Sequence, residues 1–251
     1  LSQIIAVFNQ AGGVGKSTLT MNLGYQLAQR KKQKVLLIDM DPQGSLTLFM
    51  GLEPSELKAT IYESIMEDRP LEPHTLHGMD LVPANINLSG AELELVMADA
   101  RDYRLQEALK PLRDRYDYIL IDCPPSLGLL SYISLVAATH ILVPIQTQYK
   151  AFCGTELLFK TIARVKKRTN PQLQVAGFVP TMYASQNSQD KRALQAITEQ
   201  MAPVAKVFDP IVRATALADA AEDHLPLALY NAKHPALEIL NQIAKHLEKL
   251  K

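Results

Sequence analysis

The stretch QAGGVGKST, residues 10–18, holds the residue types that grip a phosphate. Gly12, Gly13 and Gly15 let the backbone curl so that successive N–H groups point inward at phosphate oxygens, with Val14 inside the same curl. A helix starting near Lys16 adds its positive N-terminal end. In a loop of this kind Lys16 reaches the β- and γ-phosphates, Ser17 offers its hydroxyl to Mg²⁺, and Thr18 bonds the α-phosphate. The ordinary spacing, G-x-x-x-x-G-K-[ST], is not complete: Gln10 stands where the first glycine belongs. A variant loop, K-G-G-x-G-K-[ST], does without that glycine but carries an extra lysine before the paired glycines. Here that position is Ala11. The binding half of the loop is therefore intact, and one positive charge is missing.

Two further stretches supply acids. YDYILIDCPP puts Asp122 directly after four apolar residues, and KVLLIDMDPQG puts Asp39 and Asp41 after another apolar run. In a parallel sheet, ligands sit beyond the carboxyl ends of the strands. Asp122 is thereby placed to hold Mg²⁺ through water, and Asp39 and Asp41 to orient an attacking water or contact the metal shell. A lone strand-end aspartate is more often a turn or cap residue. Three of them beside a phosphate loop point to chemistry.

The elements that must position these residues follow from the apolar pattern. IIAVFN (4–9) precedes the glycine turn, and 17–31 carries Leu19, Leu23 and Leu27 at helical spacing. Strands are predicted at 34–39, 81–85, 118–122, 140–145, 174–181 and 204–209. Helices are predicted at 91–100, 103–116, 126–138, 153–168 and 236–251, with a loop at 41–45. Apolar strands alternating with helices give an α/β fold: a mostly parallel sheet with helices on both faces. No internal repeat or flexible linker divides the chain, so a single domain over 1–251 is expected.

Composition bounds the function. The chain has 251 residues, 47% hydrophobic, enough for one large domain with a substantial core. Lys+Arg and Asp+Glu both number 26, so DNA or an anionic surface can be held only by a local patch. Two cysteines, Cys123 and Cys153, make no disulfide framework and read as reduced cytosolic thiols. The N-terminal stretch lacks the basic start of a signal peptide. The uncharged run from Cys123 to Tyr149 is long enough to span a membrane, but its prolines, Gly128 and His140 divide it into a helix and a buried strand. No transmembrane segment is expected.

Together FNQAGGVGKSTLTMNLG, KVLLIDMDPQGS, YDYILIDCPPSLG, PIQTQYKAFCGTELL, TMYASQNS and FDPIVRATALADA resemble the ParA/MinD group, the deviant Walker A ATPases. The resemblance runs in order over most of the chain. It implies a doubly wound P-loop NTPase fold, ATP and Mg²⁺ as ligands, and a homodimer with ATP at its interface. It also implies slow hydrolysis that a small adaptor or activator protein speeds. Asp41 would help activate the hydrolytic water, Asp39 would lie in the same switch loop, and Asp122 would be the Walker B acid. Pro124, Pro125 and Ser126 would belong to a second switch. Family position puts Thr181, Met182 and Pro210 at the adenine.

The family's extra lysine stabilises transferring charge from across the dimer, and its absence is the main departure. Lys150 follows the strand 140–145 at the edge where nucleotide should sit. A lysine from this part of the chain is similar to the carboxysome-positioning branch, McdA, and Lys150 is the candidate replacement.

Three outputs of such a switch are open. One is ATP-dependent binding of nonspecific double-stranded DNA through Lys166, Lys167, Arg168, Lys191, Arg192 and Arg213, aided by Lys245 and Lys249, in a cytoplasmic, nucleoid-associated protein that positions a cargo. A second is membrane binding through the last helix, whose stripe of Leu237, Leu240, Ile243, Leu247 and Leu250 reads instead as core. The third, a shared metal cluster, lacks suitably spaced cysteines.

Overall fold

The computed structural model describes residues 2–148 and 155–250. Its framework is one seven-stranded sheet in the order β3-β4-β2-β5-β1-β6-β7. The strands are β1 Gln3–Val7, β2 Val35–Asp39, β3 His74–Leu76, β4 Met79–Val82, β5 Tyr118–Asp122, β6 His140–Gln146 and β7 Gln174–Thr181. All neighbours pair in parallel except β3, which runs antiparallel to β4. The expected mostly parallel α/β sheet is present. The β3–β4 hairpin was not foreseen. His77 and Gly78 both have positive φ, 53° and 77°, which suits a tight two-residue hairpin turn.

Alternation along each strand builds two cores. Ile4, Ala6, Phe8, Leu36, Ile38, Ile119 and Ile121 point to one face. Ile5, Val7, Leu37, Tyr118, Leu120 and Leu142 point to the other. Side chains alternate across a strand, so an unbroken apolar run feeds both faces only if both are covered.

Helix α1 (Lys16–Gln29) covers the second face with Leu19, Leu23 and Leu27. Helices α3 (Ile61–Met66), α4 (Leu88–Glu94), α5 (Arg104–Leu109), α6 (Leu129–Ala137) and α7 (Thr155–Arg168) cover the first, joined by Ile197 and Met201 of the helix Ser188–Met201. The predicted helix at 91–100 instead ends at Glu94 and continues as a 3₁₀ turn, Leu95–Met97. The one at 103–116 stops at Leu109, because Pro111 lacks the N–H that a further turn needs. The last described helix, Ala236–Glu248, buries Leu240, Ile243 and Leu247 in the second core. The stripe along its length is core, as its spacing suggested. Among the described residues no helix is long and apolar enough to cross a membrane.

One expected strand is corrected. Residues 204–209 form no ladder; with the residues up to 213 they make a rail beside β7 and its continuation, held by isolated parallel bridges, Phe178 to Val207 and Tyr183 to Val212. Pro210 interrupts the donors that a longer ladder requires. The rail lies close because residue 177 is glycine: a Cβ there would sit 2.6 Å from Phe208 Cε2 and 2.8 Å from the Lys206 carbonyl. Two helices absent from the sequence reading flank the rail. They are α8 (Ser188–Met201), capped by Asn187 accepting from the Gln189 N–H, and α9 (Thr215–Glu222). Short α10 (Leu227–Tyr230) and α11 (Ala236–Glu248) complete the chain's described elements, with α2 (Ser45–Phe49) near the site.

Candidate functional site

The glycine loop leaves the end of β1, which lies between β5 and β6. Asn9 anchors it: its Nδ2 donates to the Pro144 carbonyl (2.7 Å) and its Oδ1 accepts the Ala11 N–H (2.9 Å). Gly13 and Gly15 take left-handed conformations, φ 71° and 88°, which side chains resist. Gly15 is the N-cap residue of α1, so Lys16 and Ser17 begin the helix and its free N–H groups face the loop.

Lys16 is buried, and its Nζ donates to the Ala11 carbonyl at 2.9 Å. Burial lowers its pKa; Asp122, Cys123 and Asp41 act in the opposite sense. The loop lysine therefore faces two of the three aspartates singled out from the sequence. Thr20, one turn on, donates to the Lys16 carbonyl (3.0 Å) and approaches Asp122 Oδ1 at 3.5 Å.

Asp122 ends β5 and Asp39 ends β2, directly opposite in the parallel register. Both are fully buried. Among the described residues Asp122 Oδ2 has no hydrogen-bond partner. Burial, then the neighbouring Asp39, drives its pKa well up, while Ser17 and Lys16 pull it down. Asp39 is pushed up to about 6, chiefly by burial, although hydrogen bonds from Thr47 and Asp41 oppose the rise. Its Oδ2 accepts the Thr47 N–H (2.9 Å) and hydroxyl (2.7 Å), and its Oδ1 accepts the Asp41 N–H (3.0 Å). Asp41 Oδ1 accepts the Gln43 N–H at 3.0 Å and closes the turn that leads into α2. Asp39 is thus engaged by its own loop, and Asp122 is the acid with an open oxygen.

That open oxygen suits Mg²⁺. An unpartnered buried carboxylate oxygen costs free energy that a cation offsets. Ser17 supplies a hydroxyl beside it. Among the described residues no group of three His, Cys, Asp or Glu side chains forms a stand-alone metal cage. Mg²⁺ in phosphate sites needs only one or two protein oxygens, the rest being phosphate and water.

Next to the loop opens a largely apolar cavity of about 660 Å³. Gly15 and Thr18 form its wall on the side of the glycine loop, with Thr181, Met182, Ile211 and Arg213 beyond. Of the three residues expected at the adenine, Thr181 and Met182 line this cavity and Pro210 does not. The Thr181 hydroxyl also donates to the Val14 carbonyl at 2.9 Å, tying the end of β7 to the loop. Asn22 was missed. It lines the cavity, and both ends of its amide are engaged, by the Thr18 carbonyl and the Leu227 N–H. Its place one turn after Thr18 on α1 was the available signal.

The basic residues divide. Lys166, Lys167 and Arg168 are exposed at the end of α7, and Lys191 and Arg192 on the first turns of α8. Lys245 and Lys249 are exposed at the end of the chain. Arg213 is exposed but borders the cavity, apart in role from a pure surface charge. Cys123 is buried and its thiol is pushed up by burial, which leaves it unreactive. Lys150 and Cys153 lie outside the described residues.

A glycine loop at a helix start, a buried lysine and an open strand-end acid define a P-loop nucleotide-binding protein of doubly wound α/β type. The comparisons make this narrower. The AAA domain family matches residues 2–175. The chromosome partitioning protein ParA of Myxococcus xanthus is 40% identical over 255 residues, covering 99% of this chain and 89% of that one. Among solved structures, a Cyanothece McdA variant in complex with ATP superposes with a TM-score of 0.88 at 26% identity, over 98% of this chain and 96% of that one. A Mycobacterium smegmatis protein described as cobyrinic acid a,c-diamide synthase, with a bound ATP analogue and magnesium, gives a TM-score of 0.86 at 32% identity over 100% and 98%. The chain belongs to the ParA/MinD family of ATPases.

Proposed function

We propose that the chain is a Mg²⁺-dependent ATPase switch of the ParA type. With ATP it dimerises, binds double-stranded DNA without sequence preference, and so positions or partitions an intracellular cargo on the nucleoid. A partner protein stimulates its slow hydrolysis. The observation that carries the ATPase part is Asp122 Oδ2, buried and unpartnered beside Lys16 and Ser17 at the mouth of the phosphate loop.

Each site residue has a role on this reading. The N–H groups of Gly12 to Thr18 and Lys16 Nζ hold the phosphates. Ser17 and Asp122, the latter through water, hold Mg²⁺, with Asp39 behind them. Bound there, the ion supplies positive charge against the phosphates. Asp41, poised near Lys16, orients the attacking water. Thr181 and Met182 border the space for the base. Lys150 reaches the partner's phosphates in place of the lysine absent at Ala11.

The DNA surface rests on Lys166, Lys167, Arg168, Lys191 and Arg192, all exposed. Dimerisation doubles a weak patch, which suits a chain with no net charge. Against a membrane-binding output stands the burial of the α11 stripe. Carboxysomes are the cargo that Lys150 favours. Chromosome or plasmid partition is the second reading, favoured by the 40% identity to a chromosome partitioning protein.

The test is a DNA titration with ATP, with ADP and without nucleotide, at two salt concentrations. ATP-dependent binding that weakens steeply with salt is expected. Equal binding in all three nucleotide states sinks the switch, and binding to anionic liposomes in place of DNA moves the output to the membrane.

A further inference from the structure

Thr47 is wholly buried, yet polar, and lies in α2 outside the phosphate loop. Its hydroxyl uses both of its capacities. It donates to Asp39 Oδ2 at 2.7 Å and accepts the Ala84 N–H at 3.0 Å. Its own N–H donates to the same Asp39 oxygen at 2.9 Å. Asp39 Oδ1 in turn accepts the Asp41 N–H at 3.0 Å. One continuous chain of hydrogen bonds thus runs from the end of β4, through Thr47 and Asp39, to the backbone of Asp41.

We propose that Thr47 is a positioning residue for hydrolysis, which clamps the Asp39 carboxylate and through it sets the place of Asp41 beside Lys16 and Asp122. The proposal rests on the ATPase reading above. Two donors on one oxygen and one on the other fix the plane of the Asp39 carboxylate, which no longer turns toward its opposite number, Asp122. The Asp41 N–H is held to that fixed plane, so the Asp41 side chain leaves the turn in one direction. Thr47 is not among the residues that line the cavity, and its hydroxyl bonds Asp39 and Ala84 rather than the phosphate loop, so nucleotide affinity is expected to survive its loss. Misplacing a group that orients water lowers the rate of the chemical step and leaves binding alone.

Two variants separate this role from packing. Thr47→Val keeps the shape and the N–H but removes the hydroxyl; Thr47→Ser keeps the hydroxyl and removes the methyl. Phosphate release at saturating Mg-ATP and affinity for a fluorescent ADP analogue are measured on the full chain, with unfolding followed alongside. Thr47→Val is expected to lose roughly 10- to 100-fold in kcat with little change in nucleotide affinity. Thr47→Ser is expected to turn over close to the unsubstituted rate. Full turnover by Thr47→Val, or equal losses in both variants, overturns the proposal. If Thr47→Val does not fold, Thr47→Ala is read by the same criteria. An unsubstituted chain that binds nucleotide and releases no phosphate overturns the ATPase reading, and the role of Thr47 falls with it.

Discussion

Asp39 and Asp122 face each other in register at the carboxyl ends of two paired parallel strands, both out of contact with solvent. Burial raises the pKa of each, and Asp39 adds to the rise at Asp122. The two are not equivalent: Asp39 is bonded on both oxygens, whereas Asp122 Oδ2 has no hydrogen-bond partner among the described residues. The pair is a site that gains stability from a cation and loses it without one.

Stability without metal follows from the sign of these shifts. An acid whose native pKa is raised keeps its proton where the unfolded chain has released it. The native state then binds more protons, and stability falls as pH rises through that interval. For Asp39 the interval runs from 3.8 to about 6. At 1.36 kcal/mol per pH unit it amounts to about 3 kcal/mol at most. Metal-free protein is therefore expected to unfold at lower denaturant above about pH 6 than at about pH 5, with Mg²⁺ and ADP together removing most of the difference. Asp39→Asn, which removes the titrating group, should flatten the profile over that interval. A metal-free stability that rises over this range counts against the assignment.

Lys16→Ala removes the buried ammonium at the loop. Charge-assisted hydrogen bonds are worth about 1.5–3 kcal/mol, so nucleotide affinity is expected to fall about 10- to 100-fold. Titration with a fluorescent ATP analogue checks it. Unchanged affinity would place the phosphates elsewhere.

Lys150→Ala tests the missing charge. If Lys150 stabilises the transferring phosphoryl group from across a dimer, kcat drops roughly 100-fold while ATP binding persists. Restoring the loop lysine by Ala11→Lys in that variant is expected to recover part of the rate. Unchanged hydrolysis in Lys150→Ala removes the role.

Gly177→Ala should loosen the rail beside β7. The added Cβ meets Phe208 Cε2 at 2.6 Å and the Lys206 carbonyl at 2.8 Å, one of them backbone. Overpacking of this kind costs about 1–3 kcal/mol. Because the rail carries Ile211 and Arg213 to the cavity, nucleotide affinity is expected to weaken as well as thermal stability. Calorimetry and the same fluorescent titration report both, and an unaffected midpoint would show that the rail yields freely.

Much of the fold was legible because strong apolar runs leave few choices. VLLID and YILID can only be strands buried on both faces, and each ends in the aspartate that the parallel register then sets opposite the other. The phosphate loop was legible from GKS at a helix start. The 204–209 segment misled because its apolar pattern is strand-like, while Pro210 and the close approach at Gly177 make it a bridge-bonded rail. Helix α8 was passed over although Ala193, Ile197 and Met201 follow at helical spacing from the Asn187 cap.

Local chemistry by itself determined the loop, the strand-end acids and the alternation of strands and helices, because each depends on neighbours within a few residues. The tertiary structure alone decided which acid is free. Asp39 and Asp122 look alike in sequence, each closing an apolar strand. They differ because Thr47 and Asp41 satisfy both oxygens of the first, while Oδ2 of the second has no hydrogen-bond partner among the described residues. The partners of Asp39 come from its own loop, two and eight residues on, but an unpartnered oxygen matters only where packing excludes water, since in water both carboxylates would be equally hydrated.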